Sequence, residues 1–148
     1  MGLIKKVVKV FTPIYKEDPF FGRLCFQRAG FWEGKKYFAP ERREYELTID
    51  GGDDRPTESQ SSFYRTLETR YATLKPEIAK ALLAQLCNWQ KRSATRDVWN
   101  EFTLESFGIP DVDAGEQEWE LVYELKEDGH LFCVAMNGWK IEGIRIDG

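Results

Sequence analysis

Residues 57–89 constrain this chain more than any other stretch, because their apolar side chains recur at helical spacing throughout. Phe63, Leu67, Tyr71 and Leu74 step by four, four and three, and Ile78, Leu82, Leu86 and Trp89 repeat the pattern. Each set lines one face of a helix. Thr57 and Gln60 have the spacing of a capping box, in which each side chain satisfies a backbone donor of the other, so the first helix is expected to begin there. Pro76 lacks an amide proton and fits best in the first turn of a second helix. This predicts a break near Leu74 and Lys75, with one kinked helix as the alternative because the connection is very short.

Two helices with an apolar stripe need a surface to cover, and the flanking segments read mostly as strands. Tyr45, Leu47 and Ile49 alternate with Glu44, Glu46, Thr48 and Asp50, the pattern of a strand with one wet face. Leu24 and Phe26 alternate with Cys25 and Gln27, residues 28–30 read as a turn, and 32–38 as the returning strand, with Gly34 marking a bulge or a close backbone approach. Residues 3–11 are Val-rich and read as a strand, although Leu3, Ile4, Val7, Val8 and Phe11 would also line a helix. Residues 98–110 hold Trp99, Phe102, Leu104, Phe107 and Ile109 without a clean period, and are expected to form an irregular or short helical cover.

Strand signal returns after Glu118. Trp119, Leu121, Tyr123 and Leu125 occupy one face and Glu118, Glu120 and Glu124 the other, with Val122 the exception. Asp128-Gly129 and Asn137-Gly138 read as two-residue turns around an apolar strand at 131–136, covered on both sides, and Gly143 reads as a bulge in the last strand. The expected fold is therefore a single α+β domain, residues 1–148: an antiparallel sheet with a two-helix layer packed on one face and a C-terminal three-stranded meander.

Charge narrows the function. The net charge of −4 and acidic sequence pI of about 5.2 disfavour a phosphate-binding surface, so nucleic acid is not an expected partner. Residues 1–74 hold 13 Lys/Arg against 11 Asp/Glu, whereas 75–148 hold 8 against 14, which places the acidic excess in the C-terminal half. Cys25, Cys87 and Cys133 are odd in number, far apart and in apolar contexts, as expected of free thiols in a reducing compartment. No stretch has the length and apolarity of a membrane span, and the Lys-Val alternation near the start does not suit a signal peptide. The expected location is cytoplasmic.

Asp18, Phe21-Gly22, Leu24, Trp32 with Gly34, a helix pair ending near Trp89, the run Asp128-Gly129-His130-Leu131-Phe132-Cys133-Val134 and the closing Asp147-Gly148 together give the chain a resemblance. It resembles an uncharacterised group of bacterial domains of unknown function, some of which occur beside polymorphic toxins and are suspected immunity proteins. The resemblance covers 18–148 and transfers no catalytic residue.

Chemistry has few candidates. His130 is the single histidine, and pairing it with Cys133 for nucleophilic catalysis meets a geometric objection, since residues three apart on a strand point to opposite faces. Asp111, Asp113 and Glu116 offer alternate carboxylates for a hard cation but lack the remaining ligands of a calcium loop. No metal or cofactor is expected: zinc spacings are missing, and Gly51-Gly52 runs into Asp53 and Asp54, which repel phosphate. Glu118, Glu120 and Glu124 have the arrangement of a glycosidase carboxylate pair, but a wet, charged sheet face is the simpler account. A basic set, Lys5, Lys6, Lys9, Lys35, Lys36, Arg42 and Arg43, reads as solvated strand faces.

The expected function is a non-enzymatic protein-binding module, in its most specific form an immunity protein occluding a basic toxin, acting as a monomer or homodimer. Asp111, Asp113, Glu118, Glu120 and Glu124 would steer the encounter, and Trp99 or Trp139 would anchor it. The rival is a small hydrolase or ligand-binding enzyme using His130.

Overall fold

A computed structural model of the chain describes residues 13–90 and 97–148. The strand expected at 3–11 lies outside the described residues. Eight strands form one sheet in sequence order: β1 (Ile14–Asp18), β2 (Gly22–Gln27), β3 (Phe31–Phe38), β4 (Arg43–Asp50), β5 (Phe102–Ile109), β6 (Glu118–Leu125), β7 (Leu131–Asn137) and β8 (Lys140–Asp147). Neighbours are antiparallel except β4 and β5, which are parallel. That exception follows from helix α1 (Glu58–Gln90), which carries the chain back along the sheet before β5 begins. The architecture is α+β, with one long helix against a mostly antiparallel sheet.

Local chemistry sets the turns. The Asp18 carboxylate accepts from the amides of Phe20 and Phe21 at 2.9 and 2.8 Å, closing the β1–β2 turn. Gly34 is paired in regular register with Leu47, so it is a close approach and not a bulge: a Cβ there would lie 2.5 Å from Leu24 Cδ2. The Thr57–Gln60 capping box forms as expected, with Thr57 N donating to Gln60 Oε1 at 3.0 Å and Gln60 N to Thr57 Oγ1 at 3.3 Å. Gln60 is fully buried and does more, since its Nε2 donates to the carbonyls of Asp50 and Pro110. One side chain thereby ties the helix start to the ends of both parallel strands.

The expected break at Leu74 and Lys75 is absent. α1 runs unbroken for 33 residues with Pro76 inside it. Gln60, Tyr64, Leu67, Tyr71, Leu74, Ile78, Leu82 and Leu86 are all buried, so the stripe stays in phase through the proline. An interior proline costs about 3 kcal/mol. Burying Leu74, Ile78, Leu82 and Leu86 returns about 1.5–3 kcal/mol each, and a continuous helix keeps all four on the sheet. Pro76 and Ala72, whose carbonyl loses its partner, are both exposed, so water can take the missing bond.

Residues 98–110 also depart from expectation. Only α2 (Val98–Glu101) is helical; Phe102–Ile109 is β5, a central strand. The register shifts between Leu104 and Ser106, so Glu105 is an extra residue that moves the buried set from Phe102 and Leu104 to Phe107 and Ile109. A bulge of this kind breaks the two-residue period by which a strand is recognised. The turns shift too. The β6–β7 connection is residues 126–130, with Gly129 at φ 79°, and the β7–β8 turn is Gly138-Trp139, which puts Trp139 in the turn and not in the strand. The bulge expected at Gly143 is found beside it, where Ala135 faces Gly143 and Met136 faces Ile141.

One buried cluster fills the space between α1 and the sheet. Tyr64 meets Phe21, Phe38 and Phe107 edge-on or tilted, and the Tyr71 and Tyr123 hydroxyls lie 2.7 Å apart inside it. Among the described residues no helix is long and apolar enough to cross a membrane.

Candidate functional site

Strand alternation gives α1 one face of the sheet and leaves the other with side chains that, apart from the buried Cys133, are exposed or half-buried. On β4 that second face carries Glu44, Glu46, Thr48 and Asp50; on β6 it carries Glu118, Glu120, Val122 and Glu124. β5, β7 and β8 contribute small residues between them, with Gly108 beside Thr48 and Gly143 opposite Ala135. A low floor between acidic side chains is a trough.

Its largest part is a cavity of about 600 Å³ walled by Asp50, Glu116, Glu118, Glu120 and Glu142, with Arg145 the one base among the lining residues. A second cavity of about 340 Å³, lined by Glu33 and Glu46 with Lys35 between them in sequence, continues from it across Thr48. Arg145 is engaged within the face, 3.1 Å from Asp147 and 3.7 Å from Glu120. The density of carboxylates has a chemical consequence. Glu116 is hydrogen-bonded to Asp50, and that bond, with partial burial and the Asp50 charge, pushes its pKa from 4.5 up to about 7. The Glu116 carboxyl therefore keeps its proton to higher pH than an ordinary glutamate where no cation stands beside it.

The expected steering residues divide. Glu118 and Glu120 line the trough, and Glu124 lies further along the same face, opposite Thr103 and Leu131. Asp111 is buried and taken up internally, its Oδ1 2.9 Å from Arg55 Nε. This ion pair holds the loop after β4 against the end of β5, so Asp111 is a structural residue and not a surface charge. Asp113 is exposed but accepts from the Thr57 hydroxyl, which holds its carboxyl below the usual range. Asp111, Asp113 and Glu116 therefore have three different partners and do not converge on an ion.

Both anchor tryptophans lie toward the helix and not among the glutamates. Trp99 is half-buried against Tyr123, with Lys75 Nζ 4.8 Å from its ring. Trp139 is half-buried and stacked on Phe63 of α1, centroids 4.9 Å apart at 16°. His130 is likewise on the helix side, edge-on to Trp89, with Nδ1 2.8 Å from the Asp128 carboxylate. Cys133 sits instead on the trough face opposite Val122 and Arg145, and burial pushes its thiol pKa up, which keeps it protonated and a poor nucleophile. The His130–Cys133 pair is not assembled.

Asp50, Glu116, Glu142 and Arg145 join the site without having been expected there. Asp50 carried a signal, since it ends the wet face of the alternating β4 segment. Glu116 stood out only as a carboxylate for a hard cation and Glu142 carried no signal: one lies in a loop, the other at a bulge, and only sheet assembly brings them to the cavity that Asp50 lines.

Comparison with protein-family models, with curated proteins and with solved structures finds no match to this chain.

Proposed function

We propose that this chain is a non-enzymatic protein-binding module whose acidic sheet face engages a basic protein, in its most specific form an immunity protein that occludes a basic toxin. The observation that carries the reading is the trough: five carboxyl side chains against one arginine line a broad open cavity. Concentrated like charge over a low-dielectric sheet focuses the field and speeds encounter with a cation-bearing surface. The chemistry of the remaining candidates supports the same reading, because the thiol on this face is held protonated and the imidazole lies away from it, beside the Asp128 carboxylate.

The test is protection of cells from a basic toxin encoded beside this chain. The wild type and His130→Ala protect, while the combined Glu118→Lys, Glu120→Lys and Glu124→Lys variant, checked for folding by circular dichroism, loses protection. Loss of protection in His130→Ala with retention in the charge-reversed variant would overturn the proposal in favour of catalysis.

A further inference from the structure

We propose that the crevice beside the stacked Phe63 and Trp139 rings seats one apolar side chain of the same basic partner, so that the recognised segment carries a leucine- or phenylalanine-sized residue beside its lysines or arginines. This rests on the acidic-face reading and adds to it the site at which the partner is held. The crevice has a volume of about 230 Å³, with Phe63, Trp139, Pro110, Val112 and Gly138 among its walls. Its remaining wall includes Glu116, which also lines the acidic trough, so the two cavities meet at one carboxyl group. A segment lying over Glu116 reaches both at once.

The crevice is preformed. Trp139 is stacked on Phe63, Trp119 meets both rings edge-on at 5.2 and 5.4 Å, and the Trp119 indole N–H donates to the Gly138 carbonyl at 2.7 Å, fixing the turn that carries Trp139. Its volume falls below the roughly 300–1,000 Å³ of small-molecule sites and suits a single side chain. Rigid aromatic walls beside a charged trough are the arrangement in which one buried anchor supplies affinity while charges supply rate. Glu116 is the one acid among the crevice walls and Arg70 lies 5.1 Å over the Trp139 ring, so the preference for a basic segment comes from the adjoining trough and not from the crevice itself.

The probe is a short oligolysine peptide with one central lysine replaced by leucine, compared with the same peptide carrying serine there, so that charge is equal. Binding is read by fluorescence anisotropy of a terminal dye. The leucine peptide is expected to bind roughly tenfold tighter, the gain from burying one such side chain. Trp139→Ala erases that difference and leaves the serine peptide unchanged. In the isotope-labelled wild-type protein, the amide signals of Gly115, Gln117 and Gly138 shift with the leucine peptide and not with the serine peptide, a readout that does not depend on the variant folding. Equal affinities for the two peptides, each lost on Glu118→Lys and Glu120→Lys, would refute the crevice and leave the acidic face standing. Failure of both peptides to bind would refute both. A concentration-dependent mass that Trp139→Ala abolishes would assign the crevice to a second copy of this chain and overturn the inference.

Discussion

Replacing Glu116 with Gln removes the titrating carboxyl while preserving a hydrogen-bond donor toward Asp50. In the unfolded chain Glu116 titrates near its ordinary 4.5, and in the folded protein near 7. Between those values the folded state holds more protons than the unfolded state, so stability falls as pH rises. The contribution is fully present below about 4.5 and is lost as pH passes through about 7. For a fully buried group a gap of this size corresponds to about 3 kcal/mol. Glu116 is only partly buried, and solvent screening reduces this to on the order of 1 kcal/mol. Asp111 adds like charge near Glu116, and Glu118, Glu120 and Glu142 line the same cavity, with Arg145 the one base among its lining residues. The assay is urea unfolding of wild type and Glu116→Gln between about pH 5 and about pH 8. The wild type should lose on the order of 1 kcal/mol more than the variant across that window. Parallel pH profiles would show that Glu116 does not hold its proton above the ordinary glutamate range, and the reasoning would fail. A cationic partner competes with the same proton, so oligolysine binding to the wild type should tighten over the same range.

Two further predictions concern the scaffold that holds the trough. Tyr71→Phe or Tyr123→Phe alone leaves a buried hydroxyl without its 2.7 Å partner and should cost about 1–3 kcal/mol. The double replacement should cost clearly less than the sum, and additive losses in a urea-unfolding cycle would show that the hydroxyls do not depend on one another. Pro76→Ala restores an amide donor on the exposed side of α1 and should raise the unfolding free energy by about 1 kcal/mol or more. An unchanged or lower midpoint would mean that the helix is shaped around the proline.

Much of this architecture was legible locally. The alternation of Tyr45, Leu47 and Ile49, and that of Trp119, Leu121, Tyr123 and Leu125, marks two strands and their buried faces, because a strand's side-chain period is two wherever no residue is inserted. The capping box marked the helix start for a similar reason: all its partners lie within one turn. Legibility failed where a local rule was overridden at a distance. Pro76 breaks a helix that stands alone, but here the stripe from Leu74 to Leu86 is held against the sheet. Glu105 inserts one residue into β5 and hides its period, and the strand is recognised only by its parallel partner β4 and its antiparallel partner β6.

Within a strand that carries no bulge, such as β4 or β6, which side chains share a face and the sign of the charge that face carries are properties of the sequence alone, since parity and ionisation need only covalent neighbours. Which faces lie side by side was decided only by the tertiary structure. The crossover of α1 sets β4 beside β5, and that pairing brings Asp50 near Glu116 from a loop, with Glu142 from a bulge lining the same cavity, residues separated along the chain and joined only by the order of the sheet.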